Sequence, residues 1–342
     1  MWHLRHHSQV LWAVIVAAFM LHCALIFAIG YAVSIARQAS EITLPAHSDG
    51  CITVLQFLCV KFPFVGEALW RDRIASGKVH WFNGAAITAD TPFMPSKRLC
   101  YYREVVAEPV VPFAHRILYQ DQHILLADKP HFLPVTPGGE YVNECLLARL
   151  KRDTGLDDIV PVHRLDRDTA GLVLFSINPQ SRSAYYQLFS QGNISKGYQA
   201  VAVLTPPLQQ NATLSQETQL PLSWHIENRI EKSQPAFINA IVPGEVNAVS
   251  DIRLLQRVNE FGLFELTPHS GKTHQLRLHM LSLGMPILHD NYYPVLQPKQ
   301  APQFDKPLQL LAKTLCFTDP LTKHAHLFTS QQQLMLGESA VY

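Results

Sequence analysis

No C-x-x-C pair occurs in the chain, and its six cysteines, at positions 23, 51, 59, 100, 145 and 316, are scattered without zinc-ligand spacing. That pattern excludes a cysteine-based structural metal site and leaves reduced thiols. An excess of one charge sign is missing too: 28 basic against 27 acidic side chains leave a net +1. No global basic field therefore advertises a nucleic-acid partner, and any such footprint must come from local clustering. Repeats and low-complexity tracts are absent, which leaves ordinary domains. Histidines are plentiful, and His269, His274, His279 and His289 lie close together, yet the pairing expected of a helical metal site is lacking. His274 and His279 are five apart, which turns them away from each other on a helix, whereas metal pairs sit at i, i+4. No metal is expected.

What is present begins with size. A chain of 342 residues with 48% hydrophobic content can hold two domains and a sizeable core. Val10 to Ala36 is a nearly uncharged apolar run long enough to cross a bilayer, with Arg5 ahead of it and small residues near its end. Three readings stay open: an inner-membrane tether, a misassigned start with translation beginning near Val33, and a cleaved signal peptide. The division expected is 1–36 for this segment, 37–106 for a small α+β module and 107–342 for the main domain.

Within the module, Val54, Leu55, Phe57 and Leu58 suggest one helix and Glu67 to Ala75 a second. Two strands around Phe82-Asn83-Gly84 should follow. Lys61 to Arg103 carries seven basic residues (Lys61, Arg71, Arg73, Lys78, Lys97, Arg98, Arg103) against three acidic ones, a local excess of four. The main domain alternates short strands with few helices, which predicts a mixed sheet. Strands are expected at Ile124 to Ala127, Gly171 to Ile177 and Tyr198 to Leu204, and a hairpin around Asn259. Helices are expected from Asn178-Pro179 to Gly192 and from Thr273 to Leu283.

The stretch Val162 to Phe175, VHRLDRDTAGLVLF, sets one carboxylate, Asp166, between Arg164 and Arg167 just before an apolar run. A cation within reach lowers a carboxylate pKa by ~1–3 units, so Asp166 should stay ionised, as a nucleophile or base requires. A structural turn would also fit the spacing. The whole motif, however, closely resembles the signature of the RluA-type pseudouridine synthases. Gly271 to Pro294 (GKTHQLRLHMLSLGMPILHDNYYP) resembles the arginine-bearing motif of that family. Lys196, Tyr198 and Ala200 resemble its Lys-x-Tyr-x-Ala strand, and Ala127 to Gly139 its Lys-Pro element, all in the family's order. Three departures stand out: Lys272 where Arg is usual, His289 where Gly is usual, and His131-Phe132 where a small residue and Gly are common. The module resembles the alpha-L RNA-binding unit that often precedes the catalytic domain.

The resemblance implies an α+β pseudouridine synthase fold, with a mostly antiparallel mixed sheet and flanking helices behind the RNA-binding module. It implies a monomeric cytoplasmic enzyme that isomerises uridines in structured ribosomal or transfer RNA. Isomerisation cuts the bond from ribose to a base nitrogen, turns the uracil over and rejoins it through carbon, which calls for no metal or organic cofactor. The implied catalytic set is Asp166, Tyr198 and Arg277. Whether Asp166 attacks the sugar, attacks the base or removes a ribose proton stays open. Tyr198 offers an aromatic face for stacking and a hydroxyl for proton handling, and the planar fork of Arg277 suits pairing with a carboxylate. Arg164, Arg167, Lys196 and Lys272, with Arg71, Arg73 and Lys78 in the module, are the candidates for gripping RNA. Two rivals from other classes are a noncatalytic RNA-binding or ribosome-assembly protein on the same fold, and a membrane-tethered metal hydrolase using the histidines and Asp290.

Overall fold

A computed structural model describes residues 33–210 and 222–336; the apolar run, as far as residue 32, lies outside the described residues. The chain divides into two compact units, one up to Pro109 and one from Val110. The first unit contains β1 (Val33–Ile35), β2 (Ser40–Thr43), α1 (Val54–Lys61), α2 (Glu67–Ala75), β3 (Val79–Trp81), β4 (Arg98–Tyr101) and β5 (Glu104–Val106). Strand β1 pairs with β5, so Val33 to Ile35, expected as the tail of the apolar segment, belong to the module's sheet structure instead. Thr53 caps α1 through a reciprocal box with Gln56, worth ~1 kcal/mol, which is why the helix begins after a threonine. The two helices and strands β2 to β4 enclose Leu44, Val54, Leu58, Trp70, Val79 and Leu99. Phe82-Asn83-Gly84 forms the expected tight turn, with the Gly84 N–H donating to the Trp81 carbonyl. Its far arm is a single bridge, His80 to Ala86, and the partner in register with β3 is β4.

The basic cluster of this unit is largely neutralised by carboxylates. Arg73 is buried and donates to Glu104 at 3.2 Å, Lys78 meets the other oxygen of Glu104 at 2.5 Å, Arg71 pairs with Glu67 and Arg98 with Glu41. Glu41 and Glu104 fall outside the window over which the excess was counted, and only folding brings them to it. Arg73, expected on an RNA-facing surface, is a core residue.

The second unit runs β6 (Arg116–Gln120), β7 (Ile124–Lys129), α3 (Leu146–Thr154), β8 (Val160–Pro161), β9 (Ala170–Ser176), α4 (Arg182–Ser190), β10 (Ile194–Val203), α5 (Pro206–Gln210), β11 (Leu222–Lys232), β12 (Asn239–Val242), β13 (Ala248–Val258), β14 (Phe261–Pro268), α6 (Gln275–Ser282), β15 (Leu310–Thr318) and β16 (Ala325–Thr329). One mixed sheet holds the strands in the order β12-β11-β13-β14-β10-β15-β9-β7-β6, with β16 on β15 and β8 on β9. Its pairings are antiparallel except for β15 on β9. Residues 124–127 of β7 and 170–175 of β9 read as unbroken apolar runs because both faces are covered. Leu125, Ala127, Val173 and Phe175 face one core, and Ile124, Leu126, Leu172 and Leu174 face another that includes Tyr185 and Leu188 of α4. Gly171 makes the parallel contact possible: at φ +112, a Cβ there would lie 2.2 Å from the Ala312 carbonyl oxygen.

Two helices start later than the sequence suggested. Asn178 accepts the Gln180 N–H in a turn of its own, and α4 begins at Arg182. His274 sits at φ +60, so α6 begins at Gln275 rather than Thr273; Gly284, at φ +74, follows its end. Among the described residues, no helix is long and apolar enough to cross a membrane.

Candidate active site

A cleft of about 1020 Å³ opens against the middle of the large sheet. Three segments supply its chemistry. The loop ahead of β9 carries Asp166, β10 carries Tyr198, and the turn into α6 carries His274 and Arg277; all four line the cleft. The sheet order explains the meeting, since β10 lies between β14, which leads into α6, and β15, which touches the start of β9.

Arg277 and Asp166, 111 residues apart in sequence, approach to 3.4 Å between Nη1 and Oδ2. The principal partner of Arg277 is nevertheless Asp290. Its Nε and Nη2 donate to the two Asp290 oxygens at 2.7 and 2.6 Å, with both side chains buried. Asp290 also accepts from the Tyr292 and Tyr293 N–H groups. The guanidinium centre lies 4.6 Å from the Tyr292 ring centroid, within cation–π range. Burial works against the charge of Arg277, and the Asp290 carboxylate outweighs it, so the group titrates above its usual range. The guanidinium is thus fixed before it reaches Asp166.

Asp166 is not bracketed by its sequence neighbours. Arg167 turns to Asp168, donating at 2.8 and 3.3 Å, while Arg164 stands exposed on the cleft wall and makes no ion pair with a described residue. The cation nearest Asp166 is Arg277, from α6. Spacing along the chain gave the right charges but the wrong pairs, because a turn with Thr169 N–H on the Asp166 carbonyl redirects the side chains.

The loop is held by two groups that site reasoning from the sequence left without a role. Lys129, at the end of β7, is fully buried, and its Nζ donates to the carbonyls of Pro130, Leu133 and Arg167 at 3.0, 2.7 and 2.9 Å. Burial pushes its pKa down to about 7, against the pull of Asp168 and Asp166. His163 takes the Leu174 N–H on Nε2 at 3.1 Å and stacks on Phe189 at 4.6 Å. Burial, and then Lys196, push it down to about 3. A lysine closing an apolar strand was the available signal for Lys129.

Tyr198 is half-buried and packs against the cores on both sides of β10. Burial and then the Asp166 charge raise its phenol above the usual range. Lys196 and Lys272 line the same cleft, and burial lowers Lys196 from the ordinary lysine range. The four clustered histidines part ways: His269 meets Asp251, His274 faces Asp166, His279 turns inward to Asn228, and His289 meets the Pro307 carbonyl. Among the described residues no group of three or more His, Cys, Asp or Glu is arranged to hold a metal ion.

The model of the RNA pseudouridylate synthase family matches residues 123–282. The dual-specificity RNA pseudouridine synthase RluA of Haemophilus influenzae is 32% identical over 225 residues, which cover 65% of this chain and 95% of that protein. This chain belongs to the RluA-type family of RNA pseudouridine synthases. An uncharacterised RNA pseudouridine synthase of Synechocystis is 29% identical over 243 residues, 70% of this chain and 79% of its own. Among solved structures, human RNA pseudouridylate synthase domain containing 1 matches in fold, with a TM-score of 0.50 at 19% identity, covering 66% of this chain and 86% of that one.

Within this RNA pseudouridine synthase, two departures from the family's residues acquire a physical meaning. Phe132 and His289 stand where the family commonly has glycine, and both adopt positive φ, +65 and +60. The backbone there keeps a left-handed turn that costs an L side chain ~1–2 kcal/mol. Phe132 offsets it by burying its ring against Phe113 and Phe304.

Proposed function

We propose that this pseudouridine synthase acts as a monomer in the cytoplasm on a uridine in structured ribosomal or transfer RNA, with Asp166 as its catalytic carboxylate. The observation that carries this reading is the meeting of Asp166, Tyr198 and Arg277 in one cleft, from segments far apart in sequence. Asp166 lies at the cleft surface, where a ribose or a base can reach it. Arg277, anchored on Asp290, holds positive charge beside it. Tyr198 presents a ring to the uracil, which must be extruded from folded RNA at a cost of a few kcal/mol. Arg164, Lys196 and Lys272 grip phosphates flanking the target, and this supports extrusion. Arg167 is better read as a strut for the loop, given its Asp168 pair.

The unit up to Pro109 serves as an accessory RNA-binding module that engages RNA through a narrower set of cations than its composition suggests. The apolar segment, if translated, tethers the enzyme to the inner membrane with its catalytic unit in the cytoplasm. Mapping pseudouridines in ribosomal and transfer RNA, from cells with and without the gene and from cells carrying Asp166→Asn, tests the assignment. Loss of one site in both mutant strains is expected; unchanged pseudouridine at every site refutes it.

A further inference from the structure

Extruding the target uridine removes a stacking partner from the base beside it, so an enzyme that covers the uncovered face recovers part of the cost. Phe237 is placed to do this. It lies in the turn between β11 and β12 and is 54% exposed. A single exposed apolar side chain is ordinary on a protein surface, and only its surroundings decide whether it has a role.

The turn is tied down at several points. The Ser233 N–H donates to the Ile238 carbonyl at 2.8 Å and the Ile238 N–H to the Pro235 carbonyl at 2.9 Å, which closes the turn on itself. Ile238 is buried in a cluster with Leu278 and Tyr293. Asn239 then joins the turn to the segments around the cleft. Its N–H donates to the Tyr293 hydroxyl at 3.1 Å, that hydroxyl donates to the Asn239 carbonyl at 2.8 Å, and the Asn239 side-chain amide donates to the Thr273 carbonyl at 3.1 Å. Phe237 is thereby held in place relative to Arg277. Its ring meets that of Tyr292 at 5.6 Å between centroids, inclined by 56°, and Tyr292 in turn lies 4.6 Å from the Arg277 guanidinium. Contacts thus lead from Asp166 through Arg277 and Tyr292 to a ring open to solvent. Lys272, next to Thr273, lines the cleft. An aromatic ring beside a basic groove is the combination that binds unpaired nucleotides, the ring taking the base and the cation the phosphate.

We propose that Phe237 is a stacking platform for an unpaired base of the RNA that flanks the target uridine. The proposal rests on the reading of Asp166 as the catalytic carboxylate, since the base that reaches the ring is a neighbour of the uridine held at Asp166. Tyr292 backs the ring and leaves more than half of Phe237 for the base. Every base has a π-face, so the platform supplies affinity and tolerates any base identity.

The probe is a synthetic stem-loop RNA built around the uridine that goes unmodified in cells lacking the gene, and the quantity measured is its dissociation constant. Phe237→Ala should weaken binding about 5- to 150-fold, the equivalent of about 1–3 kcal/mol for one stacked base. Phe237→Trp should keep the wild-type affinity, whereas Phe237→Leu, which has apolar bulk but no π-face, should lose it as alanine does. The slope of log affinity against log salt should not move, because no phosphate contact is lost. Nucleotides flanking the target are then made abasic one at a time. One of these changes should weaken binding to the wild type by the factor seen with Phe237→Ala and leave binding to Phe237→Ala unchanged, because base and ring are partners. If alanine disturbs the turn, the same scan on Phe237→Leu decides the matter. Wild-type affinity of Phe237→Ala or Phe237→Leu, or abasic losses equal in variant and wild type at every position, overturns the platform. Retained turnover of Asp166→Asn overturns the underlying reading instead, and RNA affinity does not report on it.

Discussion

Replacing Arg277 by methionine should damage the protein chiefly through Asp290, a partner 13 residues away, rather than through Asp166. The Arg277 side chain is 2% exposed and that of Asp290 is 1% exposed, and two short charge-assisted bonds join them. Asp166 is 29% exposed and meets Arg277 through one contact of 3.4 Å. Arg277→Met therefore strands a buried carboxylate, whose remaining help is two backbone N–H donors. Breaking a buried pair from one side costs about 3–5 kcal/mol. At about 2–4 °C per kcal/mol for a unit of this size, the melting midpoint should fall by roughly 6–20 °C. Adding Asp290→Leu to Arg277→Met should recover much of that loss, because the uncompensated charge is gone. Adding Asp166→Asn should recover little, because water already reaches that carboxylate. Two double-mutant cycles measured by urea unfolding give both couplings. A coupling to Asp166 as large as that to Asp290 would refute the reasoning.

Asp166→Asn should keep the fold and RNA affinity and lose isomerisation, as judged by tritium release beside circular dichroism. Retained turnover would end the assignment of that carboxylate. The stability difference between wild type and Lys129→Met should change with pH. With a pKa near 7 in the fold against 10.5 in a free lysine, the cost of burying charged Lys129 is full below about pH 7 and relieved as pH rises toward 10.5. Wild type should thus gain on the variant between those limits, by at most about 1.4 kcal/mol per pH unit; a flat difference would refute a depressed lysine. Arg73→Met should destabilise the first unit while leaving the slope of log affinity against log salt unchanged, since Arg73 is buried against Glu104. A slope reduced by ~0.7–0.9 would instead make it a phosphate contact.

The amino-acid sequence determined the large apolar strands and the motif residues, because both are local. A strand covered on both faces reads as a continuous apolar run, as residues 124–127 of β7 and 170–175 of β9 do, and the polar residues that close them, Asp128, Lys129 and Ser176, are buried as well. Asp166, Tyr198 and Arg277 were legible because each sits in a short motif whose spacing resembles the family's. Asn259 likewise announced a tight turn, and it sits there at φ +55. Charge pairing was another matter. Asp166 reads as bracketed by Arg164 and Arg167, and the module reads as a basic face. In the fold, however, Arg277 arrives from 111 residues away, Arg167 turns to Asp168, and Glu104 neutralises Arg73 and Lys78. The partner of a buried charge is whichever opposite charge the sheet order delivers, and at close range Coulomb energy depends on ångströms of separation and on exclusion of water, neither of which is written along a chain. Tertiary structure alone therefore decided that Asp290 anchors Arg277, that Lys129 supports the loop carrying Asp166, and that a left-handed His274 brings its Nε2 to 3.8 Å from Asp166.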